Sequence, residues 1–72
     1  MVTRENVGEV FTYHPAEGDQ PGHYLAVREA GAELVRAILA HVPECADQTA
    51  AVRKVREAVM TANAGIALRG LV

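Results

Sequence analysis

The sequence predicts an all-α fold, an antiparallel helical hairpin with a short N-terminal arm that assembles as a homo-oligomer. Half of the 72 residues are apolar but only 4% are aromatic, and the apolar set is dominated by Ala, Val and Leu, which suits helices better than strands. Two long stretches place apolar residues at alternating steps of three and four, the spacing of a single helix face. The connection between them is short, so the two helices pack as antiparallel neighbours. A chain of this length makes one domain and buries a smaller share of its surface than a longer one does.

Residues 1–20 read as an arm and turn. Met1 to Phe11 mixes charges with Val7, Val10 and Phe11, and "YHPAEGDQP" follows, where two prolines and a glycine disfavour regular structure. Helix one is expected over residues 21–42. Pro21 suits a first helical turn, and the polar Asp19 and Gln20 before it can cap free N–H groups. Its seam runs Tyr24, Val27, Gly31, Leu34 and Ile38, widened by Val35, Leu39 and Val42, while Arg28, Glu29, Glu33 and Arg36 occupy the opposite face. Pro43 disfavours helical geometry at Val42 and ends the element.

"PECADQT" then supplies Glu44 and Asp47 for the positive end of helix two, expected over residues 46–69. Val52, Val55, Val59, Ala62 and Ile66 form its seam, Met60 widens it, and Arg53, Lys54, Arg56 and Glu57 lie off it. Gly70 suits a helix stop, with Arg69 against the negative end of the helix dipole. A hairpin has one internal interface only. Val35, Leu39 and Met60 exceed what it needs, and such surplus apolar surface predicts a closed homo-oligomer.

Several function classes are disfavoured. A formal charge of −2 and a pI near 5.8 do not give the basic field of a general DNA or RNA binder. Cys45 has no partner for an internal disulfide, and no charged segment leads into an apolar export signal, so the cytoplasm is the expected compartment. No apolar run approaches the ~18–20 residues that span a bilayer.

His14, His23, His41 and Cys45 are all possible metal ligands, and His41 and Cys45 lie four apart. Pro43 between them breaks the register that would align them, and the other histidines have no partner at a standard spacing, so no metal is expected. The chain has no serine, Cys45 lacks an activating motif, and no glycine-rich phosphate loop is present. Neither catalytic residues nor a cofactor are therefore expected, and the chain does not read as an enzyme.

Binding remains. All three aromatic residues fall between Phe11 and Tyr24, although the helices could pack on aliphatic side chains alone. Tyr13, Tyr24 and Arg28 lie close in sequence. A tyrosine face can stack on a base for about 1–3 kcal/mol, and a guanidinium offers a fork to phosphate oxygens. For Tyr24 a place in the seam is the simpler reading. Tyr13 sits in the turn, where an exposed ring has no such use. Arg69 by itself complements the helix dipole, but in a ring of chains symmetry would gather several copies into one anion site.

The order "FTYHP", "GDQPGHYLAVREAGAEL" and "CADQTAAVRKVREAVMTANAGIAL", from Phe11 to about Leu68, resembles the small phage proteins that counter CBASS immunity by sequestering cyclic oligonucleotide signals. The most specific pieces are "YHP", the "DQP" helix start, and "REAVM" followed by "AN".

The resemblance implies helical hairpins interlocked as homohexamers that bind cyclic dinucleotides, such as 3′,3′-cyclic GMP-AMP, between protomers without cleaving them. It implies that Tyr13, with His14 beside it, stacks on a base, and that Arg28 reaches phosphates where the family commonly has lysine. It implies further that Arg69, with Gly70, contacts cyclic trinucleotides at a separate threefold pocket, and that a phage-encoded member acts in the host bacterial cytoplasm. Two departures stand out: Thr61 replaces a frequent tryptophan, and Gly65 an expected alanine.

The residues alone leave a second class open, a small helical module that docks a protein partner on its surplus apolar stripe. A DNA-binding helix-turn-helix is disfavoured by the net charge and by the lack of a three-helix core.

Overall fold

The computed structural model describes residues 1–71. Three helices follow in order, α1 (Val7–Val10), α2 (Gln20–His41) and α3 (Ala46–Ala67), and no strand occurs among the described residues. The two long helices pack on each other as the hairpin.

The arm carries more local structure than its composition suggests. The Thr3 N–H donates to Asn6 Oδ1 at 2.7 Å and the Asn6 N–H to Thr3 Oγ1 at 3.2 Å. This reciprocal pair turns the chain into the single turn of α1, much as a capping box does. Two residues past the helix, Thr12 Oγ1 folds back onto the Gly8 carbonyl, the kind of local side-chain bond that sequence periodicity does not register.

Helix α2 begins and ends one residue earlier than the expected 21–42. Gln20 enters the helix, and Asp19 occupies the capping position without a side-chain capping bond. Its carboxylate instead accepts a hydrogen bond from His23 Nε2 at 3.0 Å, so a side-chain hydrogen bond one turn along replaces the expected cap. At the other end Val42 is extended, with φ −97° and ψ 130°, as a residue before proline must be.

Helix α3 stops at Ala67, short of residue 69. The Gly70 N–H donates to the Gly65 carbonyl at 3.2 Å and the Arg69 N–H to the Ile66 carbonyl, also at 3.2 Å. This bond pair is a Schellman motif. Its left-handed position is filled by Arg69, at φ 52°, with Gly70 at φ 76° after it. The glycine expected to stop the helix therefore comes one residue later than the stop.

The seam also differs from the expected one. Leu34 is 52% exposed while Val35 is half-buried, and on α3 Ala62 is exposed while Asn63 is half-buried. From Gly31 and from Val59 the next inward residue lies four ahead instead of three. Positions three and four ahead lie on the same side of a helix, about 60° to one side and about 40° to the other, so the rotation of each helix about its own axis selects between them. One consequence is polar: Asn63 Oδ1 is shielded and accepts no hydrogen bond within the described residues.

At the crossing Gly31 permits close approach, since a Cβ there would lie 2.6 Å from Val59 Cγ2. Gly65, which stands where the resemblance expects an alanine, has nothing within 4 Å of its virtual Cβ. Within one chain it brings no helices together.

Among the described residues no apolar side chain is buried. The accessible surface is 5609 Å², against about 4,300 Å² for a compact monomer of this mass. The radius of gyration, 15.3 Å, likewise exceeds the roughly 11 Å of a compact chain this long.

Candidate functional site

Three regions hold the residues singled out from the sequence. The first is the turn between α1 and α2. Tyr13 is 84% exposed. The adjacent His14 is half-buried, and its Nε2 lies 2.7 Å from the Glu9 carbonyl oxygen, so Nε2 carries the hydrogen and donates. That bond ties the turn back to α1 and fixes the backbone beside Tyr13. Phe11 is 80% exposed on the same segment. Tyr24, by contrast, is half-buried, in line with the simpler reading given to it.

The second region flanks the hairpin seam. Two open grooves share Gly31, Val55 and Val59 as floor. One, of about 430 Å³, is bordered by apolar and small side chains such as Val27, Leu34 and Ala58, with Lys54 as its charged member. The other, of about 530 Å³, is bordered by Arg28, Arg36 and Arg56 over an apolar floor that includes Met60. Arg36 is paired with Glu33 one turn away. Arg28 thus stands in a groove with Arg36, which shares its face of α2, and with Arg56, which the pattern of α2 could not show because it comes from α3. Tyr13 and His14 line neither groove.

The third region joins the end of the turn to the end of α3. Gln20, 5% exposed, is the only buried residue among those described. Its Nε2 donates to the Ile66 carbonyl at 2.9 Å, and its Oε1 accepts the Glu17 N–H at 2.9 Å. Gly18, at φ 57°, makes the left-handed bend that lets the Gln20 N–H reach the Glu17 carbonyl at 3.0 Å. Beyond this latch Arg69 donates to Glu17 Oε2 at 3.5 Å.

Asp19 lies nearby, and its carboxyl is held below the usual carboxylate range. The hydrogen bond and charge of His23 are the main causes, its own backbone N–H adds to them, and the charge of Arg69 adds least. Glu17 was not singled out from the sequence, and Gln20 was read only as a possible cap for helix one. A glutamine directly ahead of a helix-starting proline was the available sign, but only the fold shows that it reaches across to α3.

Within one chain the structure therefore brings the turn and the Arg69–Gly70 end together, and leaves Arg28 in a separate groove. No group of three or more His, Cys, Asp or Glu residues gathers among the described residues to hold a metal. No helix among them is long and apolar enough to cross a membrane.

No curated protein and no solved structure matches the chain. A family model described as "Acb2/Tad1, hairpin domain" matches residues 4–67. That span takes in the turn, both long helices and most of the arm, and it coincides with the anti-CBASS sponge resemblance. The family is a binding-type domain directed to cyclic oligonucleotides. The chain belongs to the Acb2/Tad1 hairpin domain family of anti-CBASS sponges.

Proposed function

We propose that this protein sequesters cyclic oligonucleotide second messengers without cleaving them, as a closed homo-oligomer, and so blocks CBASS immunity. Cyclic dinucleotides such as 3′,3′-cyclic GMP-AMP are taken between protomers. Tyr13, with His14 beside it, stacks on a base, and Arg28 of the guanidinium-lined groove meets the phosphates. Arg69 and Gly70 form a second site for cyclic trinucleotides.

The observation that carries this reading is the exposed ring of Tyr13 on a turn pinned by hydrogen bonds, in a chain of this family. A solvent-facing phenol is free to stack on a base. Assembly is supported by the absence of any buried apolar side chain among the described residues. A roughly two-fold symmetric ligand matches a two-fold interface that offers each group twice.

Calorimetric titration with a panel of cyclic oligonucleotides tests the proposal. Micromolar or tighter binding of a dinucleotide is expected, with intact ligand recovered after denaturation, and Tyr13→Ala is expected to weaken it at least tenfold while the oligomer persists. Absence of heat with every ligand sinks the reading. It would leave the second one, a protein-docking helical module, which the apolar groove around Leu34 favours.

A further inference from the structure

Arg69 is the basic residue proposed to take the phosphates of a cyclic trinucleotide, yet within its own chain the guanidinium is already engaged. It donates to Glu17 Oε2 at 3.5 Å, with the two side chains 63% and 67% exposed. The same guanidinium also acts electrostatically on Asp19. An anion arriving at Arg69 meets carboxylates first.

The contact is more than a chance meeting of long side chains, because both backbones are fixed by one buried residue. Gln20 holds the Glu17 N–H through its Oε1 and the Ile66 carbonyl through its Nε2. The same Ile66 carbonyl accepts the Arg69 N–H. The backbone segments that carry donor and acceptor are thus tied together through one side chain, although the two residues lie 52 apart in sequence. Arg69 meanwhile keeps a left-handed backbone, φ 52°, at a position glycine fills most readily.

We infer that Glu17 is a built-in competitor for the anion at Arg69, a carboxylate that a bound phosphate must displace. The inference rests on the proposal that Arg69 is an anion-binding group. Displacement frees Glu17 on the same turn that carries Tyr13, and the Gln20 latch limits how far the turn follows. The carboxylate also raises specificity: a ligand that brings several negative charges to the site overcomes it, and a singly charged anion does not.

The strength of an exposed pair limits the effect. Such pairs contribute up to about 1 kcal/mol, which converts to about fivefold in affinity. The test is calorimetric titration of the full chain with cyclic triadenylate at low ionic strength, comparing the natural sequence with Glu17→Gln, Arg69→Gln and the double variant. Glu44→Gln makes the same charge change in the connection between α2 and α3, at the other end of a helix roughly 33 Å long, and serves as the control. Circular dichroism confirms that each variant keeps its helicity.

Glu17→Gln is expected to bind two- to fivefold more tightly, Arg69→Gln more weakly, and Glu44→Gln as the natural sequence does. The gain is expected to vanish in the double variant and at high salt. Equal or weaker binding by Glu17→Gln, with Arg69→Gln still impaired, overturns the competitor and leaves the Arg69 site standing. So does a gain that survives without Arg69 or is matched by Glu44→Gln. If Arg69→Gln binds as the natural sequence does, or if no variant binds, the anion site itself falls and the inference falls with it.

Discussion

Two glycines in helix interiors have opposite meanings. A Cβ on Gly31 would lie 2.6 Å from Val59 Cγ2, and a β-branched valine in a helix has one strongly preferred rotamer, so it cannot turn aside cheaply. Gly31→Ala is expected to destabilise the protein by about 1–3 kcal/mol, the range for overpacking. Gly65 meets nothing within 4 Å, so Gly65→Ala is expected to stabilise a lone hairpin by up to about 1 kcal/mol through helix propensity. Urea denaturation measures both. A loss of stability in Gly65→Ala would mean that another copy packs against that residue.

Asp19 supplies the pH dependence at this scale. The His23 hydrogen bond and charge hold its folded-state pKa below the usual carboxylate range. A depressed carboxyl stabilises the fold above the unfolded pKa and loses that contribution as pH falls through the folded value. Asp19→Asn is therefore expected to be less stable than the natural sequence above about pH 4. The two proteins should converge at more acid pH. Denaturation at neutral pH and at about pH 2 checks it, and a gap that persists in acid would assign the effect to shape instead of charge.

At the scale of elements, the end of α3 is the place where a local rule is broken. A non-glycine residue in the left-handed region costs about 1–2 kcal/mol, and Arg69 takes that position with Gly70 immediately after it. An outlier of this kind points to a use for the side chain. Arg69→Gly is expected to raise the melting temperature by a few degrees, since relief of the backbone exceeds the loss of an exposed ion pair with Glu17. The same substitution is expected to remove trinucleotide binding. Thermal melts and titrations on one preparation separate the two effects, and a lower melting temperature would mean that the Glu17 contact matters more to stability than the backbone does.

Elements were the most legible level in the sequence. The alternation of three and four marked two long helices, and Pro43 marked the break between them, because covalent geometry alone forces Val42 to be extended. The start of α2 was less legible. Asp19 has the chemistry of a cap but spends its carboxylate on His23, and a residue able to make either bond gives no sequence signal as to which it makes. Leu34 and Val35 were indistinguishable for a similar reason: both are apolar and adjacent, and only the rotation of α2 about its own axis when the helices pack decides which one faces α3.

For the whole molecule, surface area is the governing quantity. The chain exposes about 1,300 Å² more than a compact monomer of its mass, while a standard interface covers about 800 Å² per partner. The surplus covers one interface of that size on each protomer, as a closed two-fold pair requires. The melting temperature is expected to rise with protein concentration, since association stabilises only the folded state. Melting curves over a hundredfold range of concentration, with light scattering, check this; a concentration-independent transition of a monomer would remove the oligomer from the proposal.

By itself the sequence determined the helical class, the two long elements, the break at Pro43 and the family, because these follow from composition, local steric rules and the order of short motifs. It also drew attention to Tyr13, Arg28 and Arg69, whose chemistry is visible without a fold. Only the tertiary structure decided that Gln20 is the buried link between the turn and α3, that Arg36 and Arg56 share a groove with Arg28, and that Glu17 faces Arg69. The first and third join residues distant in sequence, and the second brings Arg56 of α3 alongside two arginines that share one face of α2. Periodicity describes which face of one element is apolar; what that face meets is fixed when two elements pack.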